Sequence, residues 1–245
     1  MSALTANDVV GMWERGLGQE PAAQALTMLA VARPAQRDDE LRRLTLGQRN
    51  AQVLALRQRL FGSELNAVCE CPQCGARLEF AVDVDALRDP APPPLVDADL
   101  EVETDGYVVR FRPLDTNDLL AAAAAADIEA ARGALVERCV LHARHAEAVV
   151  TAAELPPPVV ERLAARLSDA DPQAEALVAL ACPACDFRWR APFDVASFCY
   201  AEIGAEARRL LADVDTLARA YGWRESDILE MSARRRQSYL EMVLR

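Results

Sequence analysis

Cys71-Pro72-Gln73-Cys74-Gly75-Ala76-Arg77-Leu78 and Cys182-Pro183-Ala184-Cys185-Asp186-Phe187-Arg188-Trp189 are two versions of one pattern. Each runs on through a short apolar stretch to Asp-Val, at Asp83-Val84 and Asp194-Val195. A Cys-x-x-Cys turn aims two thiolates at one point, and two such turns supply the tetrahedral four-sulfur site that Zn²⁺ prefers. The proline stiffens the turn. The residue after the second cysteine, Gly75 or Asp186, tolerates φ > 0, which lets backbone N–H groups face the sulfurs. The pattern predicts Cys71, Cys74, Cys182 and Cys185 as the ligands of one structural zinc. Four thiolates leave no open coordination position, and a site charge of −2 does not usefully acidify water. A redox reading of Cys-x-x-Cys needs a thioredoxin-like βαβ setting, which the flanking sequence lacks.

The two pairs are far apart: 107 residues lie between Cys74 and Cys182, against roughly 15–20 in a compact ribbon. The middle of the chain is therefore an insertion between two ribbon halves. Closure entropy grows only logarithmically with loop length, so the insertion adds about 2 kcal/mol relative to a short loop. Zinc binding, at roughly 10–16 kcal/mol in zinc-finger peptides, exceeds that several-fold.

The remaining cysteines read as packing residues. Cys69 extends the first pattern to Cys-x-Cys-x-x-Cys and could swap as a ligand; on a strand it points the same way as Cys71, which favours a packing or supporting residue. Cys139-x-x-His142-x-x-His145 has metal-like spacing, but on the helix predicted there His145 lies about 240° around from Cys139. Cys199, between Phe198 and Tyr200, belongs to the core.

Composition excludes much other chemistry. All 27 basic residues are arginine, which removes the P-loop lysine, the kinase strand lysine and Schiff-base chemistry. His142 and His145 are the only histidines, so general bases with near-neutral pKa values are almost absent. No Gly-x-Gly-x-x-Gly, Gly-x-Ser-x-Gly or EF-hand loop occurs, and Asp38-Asp39-Glu40 and Asp97 with Asp99 lack the spacing of a catalytic carboxylate pair. A non-enzyme with no small-molecule substrate is expected. A net charge of −11 argues against a general phosphate-binding surface. Arg234-Arg235-Arg236 reads as a solvated face or an inter-subunit clamp. The stretch from Met1 to Gly16 carries Asp8 and Glu14 and no signal-peptide apolar core. The longest apolar run, Leu119 to Ala126, is too short for a bilayer, which takes about 20 residues. Seven cysteines in that context point to a reducing, cytoplasmic compartment.

The elements that must position the cysteines are mostly helical. Residues 1–66 form an N-terminal helical region, ending in an amphipathic helix from Leu46 to Phe61 with Gly62 as its cap. Residues 67–113 hold the first knuckle and a β-hairpin turning at Asp105-Gly106. The proline-rich stretch at 90–94 is a stiff connector. Residues 114–177 read as a helical insertion, with one helix from a cap at Asp115 or Thr116 through Ala131 and another from Gly133 to about Glu147. Residues 178–200 form the second knuckle. Residues 201–245 are a C-terminal helical region, with an amphipathic helix over Ala201–Tyr221 and a last helix capped by Ser232. The predicted class is α+β, mainly α: helical ends around a small zinc-ribbon-like β element split by a long insertion.

Taken together, certain residues resemble a known family. They are Leu46-Gly47-Gln48-Arg49-Asn50 leading into Cys71-Pro72-Gln73-Cys74, then Arg112-Pro113-Leu114-Asp115-Thr116-Asn117-Asp118-Leu119, the second Cys-Pro-x-Cys, and the ending Tyr221-Gly222-Trp223 through Ile228-Leu229. From about residue 44 to the end, the chain resembles the T4-type baseplate proteins of contractile phage tails and phage-like extracellular injection systems. The resemblance implies a non-enzymatic baseplate component or hub-assembly factor. Its partners would be other baseplate and tail-hub proteins, with no membrane role. It would be cytoplasmic in the producing bacterium or incorporated in the assembled particle. A second reading is a zinc-ribbon nucleic-acid-binding or transcription adaptor. It needs a basic stripe for which Arg77, Arg188 and Arg190 are candidates and which Glu79 opposes.

Overall fold

The computed structural model describes residues 4–87 and 100–243; the proline segment at 90–94, with Asp97 and Asp99, lies outside them. The chain divides into two compact units, one made of residues 1–37 with 196–245 and one of residues 38–195. The class is α+β and mainly α, with helices at both ends.

In the first unit α1 (Ala6–Gly16) opens with a reciprocal cap. The Asp8 N–H donates to Thr5 Oγ1 at 3.2 Å while the Thr5 N–H donates to the Asp8 carboxylate at 2.7 Å. Proline at the first position starts α2 (Pro21–Ala32), where a missing N–H costs nothing.

The second unit begins with α3 (Asp38–Arg42) and α4 (Leu46–Phe61). Thr45 and Gln48 cap α4 reciprocally. α4 lies in the unit of residues 38–195. Its polar residues explain why: the Gly47 N–H donates to Asp171 at 2.8 Å, and the Asn50 amide donates to the carbonyls of Gln173 and Ala174. The first ribbon follows, β1 (Glu64–Glu70) antiparallel to β2 (Arg77–Asp83), then α5 (Val84–Leu87).

Next come β3 (Leu100–Thr104) and β4 (Tyr107–Phe111), joined at Asp105-Gly106 with both residues at positive φ, the geometry this dipeptide favours. α6 (Thr116–Ala123) and α7 (Ile128–Cys139) replace the single helix expected through Ala131; Asp127 interrupts it and caps α7 through the Ala130 N–H. The helix expected from Gly133 to Glu147 stops at Cys139 and gives way to β5 (Val140–His145) and β6 (Ala148–Val150). The cause is non-local. β5 pairs with β4, with a bulge at Leu141, and turns Val140 and Ala143 into the core that holds Val102, Val109 and Phe111. The sheet order is β3-β4-β5-β6, and α8 (Pro157–Ala170) covers it with Val159 and Leu163.

The second ribbon, β7 (Leu177–Ala181) with β8 (Arg188–Pro192), runs straight into α9 (Val195–Tyr221), which starts six residues before the Ala201 expected from sequence. In the first unit α9 is followed by α10 (Glu225–Leu229) and α11 (Ala233–Val243). Leu217, Ile228 and Leu240 form their core, and Trp223 stacks on Tyr221 at 4.4 Å and meets Tyr239 edge-on. Ser232 caps α11 as expected. Arg234 and Arg235 are exposed, as the solvated face read from the sequence requires, but Arg236 departs from that reading. It is buried, and its Nε donates to Asp213 on α9 at 3.0 Å. Among the described residues no helix is long and apolar enough to cross a membrane.

Candidate metal centre

The two ribbons are built alike. In the first, the Cys71 N–H donates to the Ala76 carbonyl and the Gly75 N–H to the Cys71 carbonyl, both at 2.9 Å. In the second, Cys182 bonds Phe187 and Asp186 bonds Cys182 at the same distances. Gly75 sits at φ +72° and Asp186 at φ +56°, the left-handed turn foreseen from their position after the second cysteine. Strand pairing repeats too, with Glu70 opposite Arg77 and Ala181 opposite Arg188. Each ribbon then ends in a buried valine, Val84 or Val195, that opens a helix.

The inner faces of the ribbons meet. Cys71, Leu78 and Cys182 are buried together, with Cys69, Ala76, Cys185 and Trp189 packed around them. The four sulfurs of Cys71, Cys74, Cys182 and Cys185 lie within 4.8 Å of one another. Across the ribbons Cys71 Sγ is 3.7 Å from Cys185 Sγ, and Cys74 Sγ is 3.6 Å from Cys182 Sγ. A zinc ion with four Zn–S bonds of about 2.3 Å has sulfurs about 3.8 Å apart along each tetrahedral edge. The observed separations fit that figure and far exceed a disulfide bond; all four cysteines are free thiols. A set of four sulfurs suits Zn²⁺ or iron–sulfur chemistry and offers nothing to Mg²⁺ or Ca²⁺.

Electrostatics at the cluster follow from crowding. Burial opposes a charge on Cys71, but the backbone N–H groups of Cys74 and Gln73 and the thiols of Cys74 and Cys182 outweigh it and lower its pKa to about 7. The Phe187 N–H favours a thiolate on Cys185, yet burial and the other three cysteines push it up to about 12. The Ala76 N–H plays the same part at Cys74, whose pKa is also raised, by burial and by Cys182 and Cys71. Four sulfurs this close share their negative charge poorly without a cation, and backbone N–H groups already point at them. A divalent cation that bound here would displace protons.

Cys69 packs beside this set and is not part of it; at its place in the second ribbon stands Leu180, an apolar residue. Cys139 is buried in the other core, where burial pushes its thiol up to about 11 and its S–H donates to the Val136 carbonyl. His142 and His145 fall on β5, where an odd spacing sends them to opposite faces, and His145 stacks on Tyr107 at 4.2 Å. Among the described residues the four cysteines are the one group of three or more potential ligands that converges.

Residues 19–198 match the protein family described as T4 bacteriophage base plate protein. The chain belongs to that family. No curated protein and no solved structure matches the chain. The baseplate-family span starts well before residue 44 and stops before the Tyr221–Leu229 ending, which corrects the extent read from the sequence. It takes in both ribbons and everything between them.

Within this baseplate-family region the segments Leu46–Asn50 and Arg112–Asp118 belong to a polar joint that sequence reading did not foresee. The Leu46 N–H donates to the Leu114 carbonyl at 3.0 Å, and Thr45 bridges to Asp115. Asp118 is fully buried, takes two bonds from Arg112 at 2.7 and 2.9 Å, and takes a third from Arg138 at 2.8 Å. Burial alone would raise the Asp118 carboxyl; the bonds from Arg112, the Asp115 N–H and Arg138 hold it below the usual carboxylate range. A Cβ at Gly47 would overlap the Asp171 carboxylate, so the helix start and the segment after α8 can approach this closely only with glycine there. The sequence signal was the double cap, Thr45 with Gln48 and Asp115 with Asp118.

Proposed function

We propose that this chain is a non-enzymatic structural or assembly component of the baseplate or hub of a contractile phage tail or phage-like injection system. In this reading a four-cysteine zinc site fastens its two ribbons. The observation that carries it is the convergence of four sulfurs, from two ribbons 107 residues apart, inside a chain whose family is that of a phage baseplate protein. The segments 67–113 and 178–200 are the halves of the clamp, and 114–177 is the insertion they hold. Cys71, Cys74, Cys182 and Cys185 would saturate a Zn²⁺ ion, and the ion would supply rigidity and no reactive position. The product of such a protein is contacts with other baseplate subunits, made in the cytoplasm of the producing bacterium and kept in the particle or released after assembly.

Two measurements test this together. Elemental analysis of the purified protein should give about one zinc per chain. Crosslinking followed by affinity purification from the native host should recover tail, sheath or spike proteins. Metal-free protein with four freely titratable thiols would remove the clamp. Recovery of RNA polymerase or DNA in place of tail proteins would favour a zinc-ribbon adaptor.

A further inference from the structure

The two ribbons share a backbone and a register but carry opposite charge on their outer faces. Strand alternation fixes which residues face out, since Leu78 and Trp189 point inward to the shared cysteines. On the first ribbon the outward residues include Glu64, Glu70, Glu79 and Asp83 against one arginine, Arg77, with Val68 between them at 51% exposure. On the second ribbon the outward strand residues include Arg188 and Arg190 over Ala179 and Ala181, with no carboxylate. The carboxylates equivalent to Glu64 and Asp83, namely Glu175 and Asp194, fall beyond the ends of the second ribbon's strands. Glu79 and Arg190 occupy equivalent positions, opposite Val68 and Ala179. Glu70, Arg77, Glu79, Arg188 and Arg190 are all exposed, and none of them has an ion-pair partner among the described residues.

We propose that these faces bind each other between copies, the acidic outer face of the first ribbon on one chain against the basic outer face of the second ribbon on the next. The inner faces meet at the cysteines, so the outer faces point away from each other and one neighbour cannot cover both. A two-fold contact using either face alone would set like charges opposite each other, which is unfavourable. The contact is therefore head-to-tail. Each added copy leaves one acidic and one basic face free, and the series ends only by closing into a ring or growing as a filament. Val68 and the alanines give the contact an apolar centre inside a charged rim, the usual anatomy of a protein interface. This inference rests on the clamp proposed above, because only joined ribbons hold the two faces back to back.

The test uses the full-length, zinc-loaded protein in sedimentation velocity over a concentration series at low and high salt. Wild type should form species larger than a dimer as concentration rises, and association should weaken about tenfold or more in high salt, where exposed charges are screened within a few ångströms. Glu79→Arg and Arg190→Glu should each reduce association at least about tenfold, and an equimolar mixture of the two variants should restore it, because each then offers the face the other lacks. Wild type that stays monomeric overturns the proposal, as does association unchanged by either reversal or a mixture that does not recover. DNA binding by wild type that Arg190→Glu abolishes, without self-association, assigns the basic face to nucleic acid and also overturns it. Zinc measured on the same samples separates the two readings: a zinc-loaded monomer sinks this interface alone, whereas protein without zinc sinks the clamp and, with it, the interface that rests on it.

Discussion

Zinc held by the four cysteines, as proposed above, would couple the two ribbons, so removing it should release them and leave the four-stranded sheet intact. The ribbon pair has a small apolar core, in which Leu78 is buried and Trp189 half-buried beside the cysteines. At about 1.5–3 kcal/mol for each large side chain fully buried, these two contribute at most about 3–6 kcal/mol. A four-thiolate zinc site contributes roughly 10–16 kcal/mol in small peptides, so a zinc ion bound here would dominate. The sheet core has eight buried residues, Phe111 and Val159 among them, and owes nothing to the cysteine cluster. Even a third of the peptide value expressed as ribbon coupling, about 4 kcal/mol, would speed exchange through ribbon opening roughly a thousandfold. Hydrogen exchange read by mass spectrometry, with and without a strong chelator, measures this directly. Amides in β1, β2, β7 and β8 should lose protection, while those in β4 and β5 keep theirs. Equal protection in both samples, from protein shown to have lost its zinc, would refute the reasoning.

Asp118→Asn should destabilise the protein by about 2–4 kcal/mol in a urea melt, because it weakens three charge-assisted bonds at a fully buried site whose arginines stay partly hydrated. The Asp118 pKa is lowered by folding, so its contribution is complete above the unfolded value near 4 and is lost as pH falls through the native value. The variant should therefore show a shallower acid limb than wild type below about pH 4. Gly47→Ala should cost about 2 kcal/mol or more in thermal stability, since its methyl group must push the Asp171 carboxylate aside; an unchanged midpoint would contradict the packing there. Gly75→Ala should cost about 1 kcal/mol in stability, whereas Asp186→Gly should be neutral or mildly stabilising, because both positions need positive φ and only one has glycine. An Asp186→Gly variant that loses as much stability as Gly75→Ala would contradict the shared need for positive φ.

What the sequence showed plainly was local. The Cys-Pro-x-Cys turns, the Asp105-Gly106 hairpin and the Ser232 cap each depend on a few neighbouring residues, and each appears where their spacing put it. What it hid was set at a distance. Alanine, arginine and glutamate around 133–147 favour a helix, yet Val140 to His145 is a strand because β4 supplies a partner and the core needs Val140 and Ala143. Arg236 sits in an arginine run of the kind that normally faces water, and only Asp213, 23 positions away, explains its burial. The joint of Gly47, Asn50 and Asp171 spans more than 120 positions, and no periodicity within one helix reports it. The cluster itself was legible because the same motif occurs twice, which local reading detects at any separation.

A divided binding set also imposes an order on synthesis. At 5–20 residues per second, the ribosome needs about 5–20 s to pass from Cys74 to Cys185. For that interval the nascent chain displays one dithiol turn that cannot saturate an ion by itself. Capture of an ion by the proposed four-cysteine site would be complete only after the intervening sheet and α8 have left the ribosome. In the proposed clamp, metal occupancy would therefore report a finished insertion, and a chain truncated before its second turn would be marked by its inability to retain an ion.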